Sequence, residues 1–288
     1  MTRNETVLLI IDPQNDFCDL PDAYCPTLPQ DGGQRLRPAL PVAGAHADLQ
    51  RVASLIERAG TALDAIVVTL DSHQRIDIAH PTFWKQGDGS AVAPFTGIEA
   101  ADLRAGRYLP RVAAHLPRTI AYLDALEAAG RYRHMVWPVH CEIGSWGHNV
   151  HADVRAAYNT WEEATQRPVQ KLTKGENPWT EHFSAIMAEV PDADDPGTAF
   201  NQGFIDQLRQ AAHIYIAGEA GSHCVKATVE HIVQGLNGDG RRLTLMTDCV
   251  SPVAGFEAPY QAFLDVLRGC GARLATADII AAEWQANR

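Results

Sequence analysis

The sequence lacks three features that would place it in large and familiar classes of protein. No two of its six cysteines form a CxxC pair, and six cysteines in 288 residues do not resemble the disulfide framework of a small secreted chain. No stretch approaches the roughly 20 apolar residues that cross a bilayer. The apolar run near the N-terminus is too short for a secretion signal. We therefore expect reduced thiols and a cytoplasmic protein.

Basic residues are scarce relative to acidic ones, at 24 against 35, and the formal net charge is -11. Because nucleic acids and anionic membranes repel such a surface, we expect neither as a partner. The hydrophobic fraction of 46% is ordinary for a chain with one large core. We predict a single domain over 1–288 with loop insertions near 17–42, 85–118 and 187–203. Two small domains are the alternative that the length allows, and homo-oligomerisation is left open.

Short runs rich in Val, Ile and Leu alternate with amphipathic segments along the chain. Runs of consecutive apolar residues are typical of strands buried on both faces of a parallel sheet. The alternation predicts an α/β fold with a doubly wound, mostly parallel six-stranded sheet and helices on both faces. The predicted strands are 6–11, 65–70, 135–137, 169–172, 213–217 and 242–246, and the predicted helices are 47–59, 120–129, 222–234 and 258–268.

Two long stretches, 17–42 and 85–118, are rich in Pro and Gly and show no clear period. We predict that both are loops. Loops of this length are uncommon unless they have a role such as covering a site, and plain decoration is the alternative.

Reactive side chains follow successive predicted strands. In a parallel sheet, ligands bind beyond the carboxyl ends of the strands, so these side chains are expected at one common edge. They are Asp12, then Asp71 with His73, then His140 with Cys141, then Lys174, and finally the segment 218–224.

Cys224 lies in the predicted first turn of the helix 222–234, with Ser222 as the expected N-cap. Free N–H groups and the helix dipole favour a thiolate there and could hold an oxyanion. A nucleophilic thiol needs a base. Asp12 suits this role better than His223, because His223 is next to Cys224 in the predicted helix and adjacent helical side chains point apart. Lys174 would balance the negative charge that Asp12 and Cys224 share. The alternatives are a buried structural thiol, a turn Asp and a solvated turn Lys.

A second set of residues has the composition of a metal site. Asp71 and His73 are two apart in extended chain and so point to the same face. With His80 and His140 they suit a divalent ion, for which we predict zinc, with iron or manganese as alternatives. Ordinary polar loop residues are the other interpretation. No organic cofactor is expected.

Five segments, in order, resemble motifs of the isochorismatase-like cysteine hydrolases, and within them of nicotinamidases. The segments are VLLIIDPQNDF, LDSHQRIDIAHPTFW, WPVHCEIGSWG, LTKGENPWTEHFSA and YIAGEAGSHCVKAT. The resemblance implies a cis peptide at Glu219-Ala220. It also implies roles for matching residues: Asp12, Lys174 and Cys224 as the triad; the amides of Ala220 and Cys224 as the oxyanion hole; Phe17 and Trp137 around an aromatic substrate; and Asp71, His73, His80 and His140 as metal ligands.

The activity that the resemblance implies is hydrolysis of nicotinamide to nicotinate and ammonia through a thioester. Isochorismatases proper lack the nucleophilic cysteine, so Cys224 argues against that activity. Glu219 departs from the pattern, because an aliphatic residue is usual there. The alternatives are an amidase of the same fold for another small amide or a ureido or carbamoyl compound, a metal-dependent hydrolase in which Cys224 is passive, and a non-catalytic binding protein.

Overall fold

The computed structural model describes residues 5–28 and 32–286. Residues 1–4 of the apolar N-terminal run, residues 29–31 of the predicted 17–42 loop and residues 287–288 of the predicted domain lie outside this description. In the described part, the strands are β1 (Glu5–Ile11), β2 (Thr27–Leu28), β3 (Gln34–Arg35), β4 (Ala65–Asp71), β5 (Trp84–Gln86), β6 (Thr96–Ile98), β7 (Tyr108–Pro110), β8 (His134–Val136), β9 (Gln170–Lys174), β10 (Ala211–Gly218), β11 (Leu243–Met246) and β12 (Arg273–Ala275).

The central sheet contains six parallel strands in the order β12-β11-β10-β1-β4-β9. From β1 the chain extends the sheet first through β4 and β9, then returns to add β10, β11 and β12 on the other side. This reversal makes the carboxyl ends of β1 and β10 a topological switch point, where open α/β sheets bind ligands.

Helices cover both faces of the sheet because alternate residues of each buried strand point in opposite directions. In the described part, the helices are α1 (Ala45–Ala59), α2 (Ala100–Arg104), α3 (Leu116–Ala129), α4 (Ala152–Thr165), α5 (Gln202–Leu208), α6 (Cys224–Gly235), α7 (Glu257–Gly269) and α8 (Ala277–Ala286). Leu8 and Ile10 of β1 pack in one hydrophobic cluster with α1, α4 and α8, while Leu9 and Ile11 pack in another with α5, α6 and α7. The prediction of a doubly wound six-stranded sheet is confirmed.

The prediction that the 135–137 strand belongs to the central sheet is wrong. The 135–137 run does form a strand, β8, but it pairs antiparallel with β6 in a separate two-stranded sheet. The sixth central strand is β12, which pairs in parallel with β11. With only three residues, β12 carries too little apolar pattern to be recognised from the sequence.

The prediction of a structureless loop at 85–118 is also wrong. This stretch contains β6, α2 and β7, and its apolar side chains pack with α3 and β8 in a third hydrophobic cluster, which includes Trp84, Ile98 and Leu123. Elements of three to five residues are too short to show a period, which is why they were not predicted.

The other two predicted insertions are mainly irregular. The 17–42 stretch contains a 3-10 turn at Asp22–Tyr24 and the small hairpin of β2 and β3, and the 187–203 stretch contains a 3-10 turn at Pro196–Thr198. The single domain stays a prediction. Among the described helices, none has both the length and the apolar character that crossing a bilayer requires.

Candidate active site

The strand register brings two carboxylates and an ammonium group together at the edge of the sheet. Asp12 follows β1 directly and has a positive φ of 44°. Asp71 and Lys174 end β4 and β9 and are paired in register. The ammonium nitrogen of Lys174 lies 2.9 Å from Oδ2 of Asp12 and 2.8 Å from Oδ1 of Asp71. All three side chains are buried, so the pairs are shielded from water.

Cys224 is the first residue of α6 and completes this group. Its sulfur lies 3.6 Å from Nζ of Lys174, and the charge of Asp12 also acts on the thiol. Oδ1 of Asp12 accepts a 2.5 Å hydrogen bond from the hydroxyl of Thr69. The structure therefore brings the three residues of the predicted triad together, with Lys174 in contact with both Asp12 and Cys224, while their catalytic roles stay predictions.

The electrostatics of this group favour a protonated thiol next to a carboxylate. Burial raises the pKa of Cys224 well above its usual value, and the nearby Lys174 only partly offsets this. Burial also raises the pKa of Asp12, with Lys174 opposing it. Burial disfavours the charge of Lys174, but Asp12 and Asp71 outweigh it and raise the pKa of Lys174 well above its usual value. A thiolate would form here only if its proton moved to a neighbouring base, and Asp12 is in position to accept it.

The turn before Cys224 differs in one respect from the prediction. Ser222 is not the N-cap: His223 takes that position without a side-chain cap, and the hydroxyl of Ser222 bonds with the His223 ring and with the amide of Val253. At the start of α6 the amide of Val225 donates to the carbonyl of Ala220, whereas that of Cys224 is left open, as is usual in the first turn of an uncapped helix. Within the described residues, no acceptor takes a hydrogen bond from the amide of Ala220 or of Cys224.

The peptide bond between Glu219 and Ala220 is cis, as the resemblance implies. Gly218 has a φ of 112°, and a Cβ at this position would lie 1.9 Å from the carbonyl oxygen of Ile11. Only glycine allows β10 to run this close to β1 and then turn toward Cys224.

A small pocket opens over Cys224 and encloses about 390 Å³, including solvent at its mouth. Phe17 and Trp137 both line it, as expected for the predicted substrate residues. The Phe17 ring lies 5.5 Å from that of His140, and the Trp137 ring stands perpendicular to that of His223 at 5.3 Å. The lining residues that the sequence analysis missed are Leu40, Val42, Glu181, Phe183, His223 and Val253.

Among these additional lining residues, Glu181 is the carboxylic acid. It is buried in the pocket wall, and burial raises its pKa to about 8, so its carboxyl is neutral at pH 7. Its Oε2 atom has no hydrogen-bond partner among the described residues. An isolated acid in a loop gives no pattern in the sequence, which is why it was not predicted.

The predicted metal ligands also converge. Nitrogen atoms of His73, His80 and His140 lie within 4.8 Å of one another, and all three residues are buried. Oδ2 of Asp71 lies 3.1 Å from Nε2 of His73 and 3.3 Å from Nε2 of His140. Burial lowers the pKa of His80 to about 2, so this ring is neutral, the form that binds metals.

Asp77 supports this group and was missed by the sequence analysis. Its carboxylate lies 3.0 Å from Nδ1 of His73, which leaves Nε2 of that ring directed at the other ligands. A carboxylate that orients a ligand imidazole in this way is typical of metal sites in proteins. Three imidazoles, a carboxylate and this supporting acid fit a borderline divalent ion.

No protein-family model matches the sequence, and no curated protein matches it significantly. Solved structures do match. Yeast nicotinamidase Pnc1p has a TM-score of 0.61 at 18% identity, over 94% of this chain and 99% of that one. A nicotinamidase/pyrazinamidase from Acinetobacter baumanii has a TM-score of 0.60 at 18% identity, over 97% and 100%. The pyrazinamidase of Pyrococcus horikoshii, in complex with zinc, has a TM-score of 0.51 at 17% identity, over 94% and 99%. The chain therefore shares the α/β fold of these nicotinamidases, which is the fold that the resemblance predicts.

Proposed function

We propose that this chain is a cysteine-dependent amidohydrolase that converts nicotinamide to nicotinate and ammonia through a thioester. The observation that carries the proposal is the position of Lys174, whose ammonium contacts Asp12, Asp71 and the sulfur of Cys224 at the floor of the pocket. A buried thiol beside a carboxylate and a cation is the arrangement that covalent catalysis requires. The nicotinamidase neighbours share the fold that builds it.

In the first half of the reaction, Asp12 takes the thiol proton as the sulfur of Cys224 attacks the amide carbonyl. A C–S bond forms and the carbonyl oxygen becomes an oxyanion. The amides of Ala220 and Cys224 have no acceptor within the described residues, so they are available to hold this charge. Lys174 keeps the region around Asp12 and Cys224 close to neutral as the proton moves.

In the second half, Asp12 returns the proton to the departing nitrogen, the C–N bond breaks and ammonia leaves. The resulting thioester joins the acyl group to Cys224. A water molecule then adds to the thioester carbonyl and gives its proton to Asp12. The C–S bond breaks, Asp12 returns this proton to the sulfur of Cys224, and the product acid leaves as nicotinate after losing its own proton to solvent, so the enzyme ends in its starting state.

The pocket supports a small, flat, aromatic substrate. Phe17 and Trp137 present two rings on its walls, and aromatic faces pack favourably on a planar ring. Asp71 and His140 add a polar side, so the pocket combines an apolar slot with a few polar groups, as small-molecule sites usually do.

Asp71, His73, His80 and His140 would hold a divalent ion in this site, most simply zinc, with iron or manganese as the other candidates. A structural neighbour, the Pyrococcus horikoshii pyrazinamidase, was solved with zinc. When bound, such an ion supplies a Lewis acid that attracts a lone pair of the substrate, such as that of a ring nitrogen.

A second candidate is an amidase of the same fold for another small amide or for a ureido or carbamoyl compound. Glu181 favours it, because a neutral buried carboxyl with an unpaired oxygen could hydrogen-bond an additional amide group in the substrate.

Ammonia release from a panel of substrates tests the proposal. Nicotinamide should be hydrolysed faster than ureido compounds and aliphatic amides. Cys224→Ala should abolish turnover without loss of the fold, while Cys270→Ala, which removes a partly exposed thiol away from the pocket, should leave it unchanged. Faster hydrolysis of a ureido compound than of nicotinamide would support the second candidate. Full activity in Cys224→Ala would refute both.

A further inference from the structure

Glu219 is an acid in an unusual place. It is fully buried, and it occupies the position where the resemblance leads us to expect an aliphatic residue. Its backbone amide donates a 2.8 Å hydrogen bond to the carbonyl of Ile11, at the end of β1. The next amide in the chain, that of Ala220, is one of the two proposed to hold the oxyanion. Whatever fixes the side chain of Glu219 therefore also affects the position of that amide.

The side chain of Glu219 is linked to two separate elements. Its Oε2 accepts a 3.3 Å hydrogen bond from the amide of Ser251, beyond β11. Ser251 also donates its hydroxyl to Oδ2 of Asp48 on α1, at 2.6 Å, so the carboxyls of Glu219 and Asp48 are held by the same residue. Because two ionised carboxylates offer only acceptors, a direct bond between them requires one proton.

The neighbours of the pair place that proton on Glu219. Asp48 accepts hydrogen bonds from the hydroxyl of Ser251 and from Arg51, both at 2.6 Å, and these favour its ionised form. The described residues give Glu219 no cation in contact. Burial and the charge of Asp48 raise the pKa of Glu219 well above its usual value.

The remaining groups that face Glu219 do not offset this. Asp19, shortly before the 3-10 turn at Asp22–Tyr24, adds negative charge, and the thiol of Cys18 is neutral because burial raises its pKa well above the usual value. On α7, burial raises the pKa of Tyr260 to about 12, so its hydroxyl is neutral too. Arg51, the cation beside Asp48, is held by Asp48 and by the carbonyl of Asp248.

We infer that Glu219 is a positioning residue, whose protonated carboxyl binds Asp48 and so fixes the 218–221 turn and the Ala220 amide for oxyanion binding. The inference rests on the proposed function. Ionisation of Glu219 sets two carboxylates against each other in a dry site and displaces the turn. The effect falls on kcat rather than KM, because Phe17 and Trp137 lie on other segments.

The stability that the Glu219–Asp48 pair contributes to the fold should decrease as the pH rises. The pKa of Glu219 is raised in the folded chain above its usual 4.5, so the stability that the pair contributes is complete below that value. It is lost as the pH rises toward the folded pKa. A glutamine at this position keeps a hydrogen-bond donor to Asp48 and requires no proton.

The experiment compares Glu219→Gln and Glu219→Ala with the exposed control Glu163→Gln, which makes the same isosteric change on the surface of α4. Between pH 5 and pH 9, the Tm of Glu219→Gln should rise above that of the wild type, by roughly 3 °C per pH unit over the range where Glu219 stays protonated. The Tm of Glu163→Gln should follow that of the wild type.

In steady-state kinetics, Glu219→Ala should lower kcat about tenfold and leave KM within twofold of the wild type. Glu219→Gln should restore kcat, and its kcat should not decline at alkaline pH.

Hydrogen exchange of the 218–224 segment gives a readout that needs no substrate. Its protection, corrected for the intrinsic pH dependence of exchange, should fall with pH in the wild type and not in Glu219→Gln. If this difference appears but nicotinamide is not hydrolysed, the proposed substrate is wrong and the role of Glu219 in the turn stands. If protection and Tm show the same pH dependence in both proteins, the inference is overturned, whether or not the protein hydrolyses nicotinamide.

Discussion

Nζ of Lys174 lies 2.9 Å from Oδ2 of Asp12, and both side chains are almost completely removed from solvent. A carboxylate buried this deeply is stable only with a partner, since an isolated buried charge is very costly. The ion pair therefore both stabilises the edge of the sheet and keeps a proton acceptor beside Cys224. Structure and proposed chemistry depend on the same contact.

Replacing Lys174 by methionine should be strongly destabilising. It removes the cation from Asp12 and Asp71 and leaves two buried carboxylates without it, at a cost of about 3–5 kcal/mol in the free energy of unfolding. Lys171→Met on the same strand is the control, because Lys171 is exposed and its pairing with Glu162 is loose at 3.7 Å. Urea unfolding should show a loss below about 1 kcal/mol for the control. Equal losses in the two variants would contradict the account.

Asp12→Asn should separate the structural role of this residue from the chemical one. The amide oxygen can still accept the hydrogen bond from Thr69, but the side chain no longer takes a proton. We expect kcat for nicotinamide to fall by roughly 10²–10⁴-fold, the usual contribution of a general base, in a protein that still unfolds cooperatively. A kcat within threefold of the wild type would exclude Asp12 as the base.

Gly218→Ala should disturb the contact between β10 and β1 more than an ordinary glycine substitution does. A Cβ there would meet the Ile11 carbonyl at 1.9 Å, in addition to the cost of the positive φ. Gly238→Ala is the matched control, since Gly238 has a φ of 82° with nothing within 4 Å, and it should cost about 1–2 kcal/mol. Thermal unfolding should show a clearly larger loss of Tm for Gly218→Ala. Similar losses would mean that the close approach is not restrictive.

Trp137→Ala should weaken substrate binding. It removes one aromatic wall of the pocket, so KM for nicotinamide should rise about tenfold, whereas Trp137→Phe keeps a ring and should change KM less than threefold. Steady-state kinetics on both variants checks this. If the two substitutions raise KM equally, the ring does not stack on the substrate.

Metal content can be measured without any assay of activity. The protein should retain about one divalent ion per chain after dialysis, as measured by elemental analysis. His80→Ala should lose most of it, because one of three converging imidazoles is removed. His213→Ala, at an exposed position on β10, should keep it. Retention of the ion by His80→Ala would place the metal elsewhere.

The sequence was sufficient to predict the fold class, because long apolar runs such as that of β1 identify buried parallel strands. The order of Asp12, Asp71 and Lys174 after their strands also predicted that these side chains meet, since parallel strands deliver their ends to one edge. What could not be predicted depends on short elements or on packing. The three residues of β12 show no period, and the neutral states of Glu181 and Glu219 arise from neighbours that are distant in the chain.

The helix cap was mispredicted for a similar reason. Ser222 is a good capping residue by type, but its hydroxyl is already bonded to His223 and Val253, which the tertiary structure brings to it. Local preference was overridden by a contact between remote parts of the chain.

The most direct test of the central claim is to trap the acyl-enzyme. The wild-type protein should be mixed with excess nicotinamide, quenched in acid and digested for mass spectrometry. We predict that the peptide containing Cys224 carries an added nicotinoyl group, that the peptides containing the other five cysteines do not, and that Cys224→Ala shows neither adduct nor ammonia release. Steady release of ammonia by Cys224→Ala, without any adduct in the wild type, would contradict the account.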